Sequence, residues 1–62
     1  MCEFKVFKKG EIVFQDAIYA KAEGEKVTVR DVLGVSQVFE NCTVTEIDVN
    51  AERLILTPSE KH

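Results

Sequence analysis

Apolar and polar residues alternate with a period of two along most of this chain, the pattern of half-buried β-strands. Cys2, Phe4 and Val6 alternate with Glu3, Lys5 and Phe7 and predict a first strand. Lys8-Lys9-Gly10 reads as a turn, with Gly10 free to take positive φ. Ile12-Val13-Phe14 is an apolar run short enough for a buried strand. Residues 16–23 pull two ways. Their Ala, Lys and Glu favour helix and Asp16 is a capping residue, yet Ile18, Ala20 and Ala22 alternate and Gly24 closes the stretch early. The stretch is assigned to a strand. Glu23-Gly24-Glu25 then turns the chain into Lys26-Val27-Thr28-Val29-Arg30, where β-branched and polar residues alternate cleanly.

Residues 31–36 carry Val32, Leu33 and Val35 around Gly34 and read as a bend or a short continuation. Gln37-Val38-Phe39-Glu40 leads through Asn41 into residues 43–49. There the apolar parity slips between Val44 and Ile47, which predicts a bulge near Thr45 and Glu46. Asn50-Ala51-Glu52 turns into Arg53-Leu54-Ile55-Leu56-Thr57, Pro58 ends that strand, and residues 59–62 are expected as a frayed tail. The sequence thus predicts an all-β protein, a small barrel-like meander of six or seven short antiparallel strands.

Length changes that picture by limiting the core. A chain of 62 residues makes one small domain, residues 1–62, and buries only about 60% of the surface its unfolded form exposes. Small scaffolds often add a metal, a disulfide or a second subunit. A hydrophobic share of 45% with 31% charged residues is ordinary for a folded domain and argues against disorder. No segment approaches the roughly 20 apolar residues that span a bilayer, and no signal peptide opens the chain, so a cytoplasmic protein without a membrane partner is expected. Eight Lys and Arg against eleven Asp and Glu leave a net charge of −3, which opposes the electrostatic footprint of a nucleic-acid binder. Lys5, Lys8 and Lys9 are the one local basic group, and a hairpin turn accounts for them.

Candidate chemistry centres on Cys2. Removal of Met1 would leave an α-amine and a thiol on one residue, a five-membered amine–thiolate chelate with the next amide nitrogen as a third donor. Such N/S donors suit nickel, copper or zinc. Cys42, beside Asn41, reads as a small buried hydrophobe rather than a second thiolate ligand. Two cysteines without a CxxC spacing make neither a disulfide framework nor a zinc ribbon. The sole histidine, His62, is the last residue, and no nucleophile elbow, phosphate loop or HExxH motif is present. Without a placed base an enzyme is not expected. Phe4, Phe7, Phe14, Tyr19 and Phe39 read as core at strand spacing. The alternative is a set of stacking platforms in a small β-barrel module that binds RNA or protein and has no metal role.

The Met-Cys opening, residues 16–24 (DAIYAKAEG), Val27-x-Val29, Ile47-Asp48-Val49 and Leu54-Ile55-Leu56 together resemble the CooT family of small nickel-binding proteins. The resemblance runs from Met1 to about Thr57 and rests on order, length and the Met-Cys start, since each motif alone is short. It implies a homodimeric metallochaperone or nickel store serving carbon monoxide dehydrogenase maturation. It further implies that Ni(II) is held by Cys2 from two subunits, with a client metalloenzyme or its maturation factors as partner. No other residue here matches a family ligand. Members have also been labelled predicted RNA-binding proteins, which the acidic balance does not favour.

Overall fold

The computed structural model describes residues 3–59. Six strands follow in order: β1 (Phe4–Lys8), β2 (Glu11–Glu23), β3 (Lys26–Asp31), β4 (Ser36–Glu40), β5 (Cys42–Asp48) and β6 (Arg53–Pro58). They form one sheet with the order β4-β3-β2-β1-β6-β5. The all-β expectation holds, and residues 16–23 are strand. Two details differ from the predicted meander. The β1–β6 pair is parallel, Lys5 opposite Arg53 through Lys8 opposite Leu56, among otherwise antiparallel pairs. The sheet also curls without closing into a barrel, because β4 and β5 stand at its two ends.

The predicted runs 12–14 and 16–23 are parts of one 13-residue strand. Straight, it would span about 43 Å at ~3.3 Å per residue, longer than the molecule's greatest extent of 38 Å. It bends instead. Between the pairs Phe4–Ala17 and Val6–Phe14, β2 advances three residues while β1 advances two, and Asp16 takes φ 59°. A further irregularity follows between Ala17 and Tyr19 against β3. These bulges let the first half of β2 pair with β1 and the second half with β3, so one strand turns the corner of the sheet.

The hairpins follow local chemistry. Lys9 and Gly10, both at positive φ, form the two-residue loop between Lys8 and its partner Glu11, as a type I′ turn requires. Gly24 supplies positive φ at the first loop position between Glu23 and Lys26. The bulge predicted near Thr45 is present: Val44 pairs with Leu56 and Glu46 with Ile55, leaving Thr45 unpaired in the ladder. Its hydroxyl lies 2.8 Å from that of Thr57.

A lone sheet must find cover for its apolar face. Here the curl supplies it. Val6, Ala17, Val27, Val29, Phe39, Cys42, Leu54 and Leu56 form the buried core, with at least one residue from every strand. Strands β3 and β5, not neighbours in the sheet, touch across this core. Only Asn41, at φ 61°, separates β4 from β5, so the chain passes from one sheet edge to the other through one left-handed residue. The Cys42 N–H donates to the Glu25 carbonyl at 3.1 Å, and the Ser59 N–H to the Asn41 carbonyl at 2.7 Å. The Ser59 hydroxyl also donates to the Glu25 carboxylate at 3.1 Å. Ser59, assigned to the tail from sequence, is therefore tied to this corner.

Candidate metal site

The sequence places its metal ligand at Cys2, which lies outside the described residues, as does His62. The structure describes what surrounds the start of β1. Parallel pairing sets that start beside the turn entering β6, and the Lys5 N–H donates to the Glu52 carbonyl at 2.9 Å. The preceding turn is fastened by Asp48. Its carboxylate accepts the Ala51 N–H at 3.1 Å and lies 3.5 Å from the Arg53 guanidinium. The Ala51 N–H, and then Arg53, hold the Asp48 carboxyl below its usual range.

Beside Phe4 the curled sheet leaves a cleft of about 170 Å³ lined by Phe4, Ala17, Ile18, Tyr19, Ala20, Ile47 and Leu54. The lining is mostly apolar. Ile18 and Ile47 are exposed there rather than covered. The Arg30 guanidinium sits over the Tyr19 ring, 4.1 Å from its centroid, a cation–π contact that fixes one wall. The cleft exists because the β2 bulge turns Ile18 and Tyr19 away from the core just where β1 begins.

This corrects one sequence expectation. Phe39 is core, and Phe4 and Phe14 pack partly buried against it, but Phe7 is half-buried outside that cluster and Tyr19 is exposed. Tyr19 leaves the face that buried Ala17 lines because the ladder with β3 shifts register between Ala17 and Tyr19. Ile47, the end of the β5 parity slip, shares the cleft for the same reason.

Cys42 is a small buried hydrophobe. It is fully buried, and its Sγ donates to the Phe39 carbonyl at 3.5 Å. Among the described residues no group of three or more His, Cys, Asp or Glu is placed to hold a metal ion. Among them, too, no helix is long and apolar enough to cross a membrane.

No curated protein matches this chain. The model of one family does, that of the CO dehydrogenase accessory protein CooT, over residues 1–57. That match takes in Cys2, the cleft-lining residues and all six strands except the terminal Pro58. The chain belongs to the CooT family of CO dehydrogenase accessory proteins.

Proposed function

We propose that this protein binds nickel through Cys2 of two subunits and carries or stores it for CO dehydrogenase maturation. It works in the cytoplasm without catalysing a reaction of its own. The observation that carries this reading is the family match from residue 1, which takes in Met1-Cys2. The donor chemistry supports it. Thiolate, α-amine and amide nitrogen from one chain are too few and too cramped for a four-coordinate site, and a two-fold dimer doubles them into a symmetric N/S set. The free thiol and α-amine titrate near about 8.5 and 7.7–8.0, so nickel must displace protons and its affinity falls below neutral pH.

The cleft supports the dimer half of the reading. Phe4, at the start of β1, lines this cleft. An apolar surface of exposed Ile18, Tyr19 and Ile47 beside that point is what a second copy would cover while bringing its own Cys2 to the axis. Titrating nickel into metal-free protein under native mass spectrometry tests both halves. One nickel per two chains is expected. A monomer that takes up a full equivalent of nickel would sink the reading.

A further inference from the structure

We infer that β4 is a second contact surface, where it pairs edge to edge with β4 of another copy, antiparallel about a two-fold axis through Val38. The sheet ends at β4, so alternate residues of Ser36–Glu40 turn backbone N–H and C=O groups away from β3. Several guards of an open edge are missing: β4 pairs with β3 without a bulge, from Lys26–Glu40 to Arg30–Ser36, holds no Lys or Pro, and carries its one charge, Glu40, at its end. Residues 32–39 form the longest run of the sequence without a charged residue. In a chain of net charge −3, that strip is where two copies meet with least repulsion.

The strip is also built to be displayed. The Asp31 carboxylate accepts the Leu33 and Val35 N–H groups, both at 2.9 Å, while the Asp31 and Gly34 N–H groups close the same loop onto Val35 and Asp31 carbonyls. This fixed loop holds Val32 41%, Leu33 85% and Val35 58% exposed, and Val38 follows on the strand at 47%. Ordering such a loop without burying its side chains costs entropy that contact with a partner would offset.

The β4 sequence identifies the partner as a second copy, because it is complementary to itself. Antiparallel pairing about Val38 sets Ser36 opposite Glu40, Gln37 opposite Phe39 and Val38 opposite Val38. A carboxylate meets a hydroxyl, Val38 meets Val38, and no like charges face each other, while Gln37 lies opposite Phe39, whose ring belongs to its own core. Leu33 and Val35 continue past the Ser36 end toward the other copy's Asn41 corner. β1 stands three places inboard of β4, so this contact is separate from one formed through Cys2. Few side chains take part, which places it among small, weak interfaces of below roughly 1,200 Å².

The test uses metal-free wild type and Cys2→Ser, so its outcome does not depend on nickel. To separate this contact from one through the cleft, the Cys2→Ser protein also carries Ile47→Lys, and its sedimentation from micromolar to millimolar concentration should still show a reversible dimer. Val38→Lys should raise its dissociation constant about tenfold or more by opposing two cations on the axis. In the Cys2→Ser background, Val38→Cys should link to itself under mild oxidation, since opposed Cα atoms lie about 4.5–5.5 Å apart, within the disulfide range. Ser36→Cys and Glu40→Cys should link to each other and not to themselves. A Cys2→Ser protein that stays monomeric at millimolar concentration overturns the inference. So does a dimer indifferent to Val38→Lys, or a Val38→Cys variant that links no faster than Lys21→Cys on β2.

Discussion

Strands β4 and β5 are separated by one residue, yet they form opposite edges of the sheet and handle that exposure differently. β5 carries an unpaired residue at Thr45, places Glu46 and Asp48 along its length, and joins hydroxyls with β6 through Thr57. Bulges and charges of this kind deter strand addition. β4 runs regular and nearly uncharged, with Val38 facing outward. The contrast separates the molecule into two working sides. On the β5 side the edge is closed to strands, and the apolar surface lies in a cleft beside Phe4 that β2 lines together with β1, β5 and β6. On the β3–β4 side the apolar surface lies on the edge itself. A face suits a partner that brings side chains, whereas an edge suits one that brings backbone.

The largest effect that would break this division concerns nickel. Metal chemistry is assigned to the β1 side alone, so Cys2→Ser should abolish tight nickel binding. Cys42→Ser should largely keep it, because Cys42 faces the core past the β4 corner and its Sγ already donates to the Phe39 carbonyl. Thiolate-to-nickel absorption bands should vanish only in the first variant. Equal loss in both would make Cys42 a ligand and erase the distinction between the sides.

The next effect tests whether the two sides share one core. Leu56 on β6 is 1% exposed and belongs to the same buried cluster as Val27 and Val29 of β3. Leu56→Ala should cost about 2–5 kcal/mol through lost burial and a residual cavity. Val38→Ala at the open edge should stay within roughly 0.5 kcal/mol. Urea unfolding of both variants, monitored by far-ultraviolet circular dichroism in dilute protein, checks the pair. If Leu56→Ala unfolds in two steps, the sides are separate cooperative units.

Asn41 joins the two edges, and its φ of 61° is one that asparagine tolerates better than other side chains. Asn41→Ala should therefore cost about 1 kcal/mol, while Asn41→Gly should lie within a few tenths of wild type. Thermal melts of both variants distinguish this from a contact effect. If alanine and glycine destabilise equally, the side chain rather than the backbone angle holds the corner.

How much of this was legible beforehand follows from where the information resides. Alternation gave the strands, and the parity slip at Val44–Ile47 gave the Thr45 bulge, because both are local patterns. The Lys9-Gly10 and Gly24 turns were readable for the same reason. The β1–β6 parallel pairing was not, since pairing between distant segments leaves no local mark. Nor was the exposure of Tyr19: the ladder with β3 shifts register between Ala17 and Tyr19, and Asp16 at positive φ is an unusual choice that composition alone read as a helix cap. For the candidate metal site, sequence supplied Cys2 and its chemistry, while the cleft beside Phe4 came from the curl of the sheet.

The smallest effect probes how firmly the β5 side is fastened. Asp48 accepts the Ala51 N–H and faces Arg53, and both favour its charged form, the amide first. Its folded-state pKa therefore lies below the ordinary carboxylate value of 3.8. As the pH falls through that region the unfolded chain takes up this proton before the folded protein does, so stability from Asp48 declines with falling pH. It is fully present above the unfolded value and lost once the pH drops through the folded one. Asp48→Asn removes the charge, so it should lower the melting temperature slightly at pH 7 and flatten the melting curve's decline in acid. The two proteins should converge as the pH falls below the ordinary carboxylate value of 3.8 and the wild-type carboxyl takes up its proton. A variant whose deficit persists undiminished at that pH would show that the turn depends on side-chain shape rather than charge. Because the group is open to solvent and screened, the gap at pH 7 should also narrow in high salt.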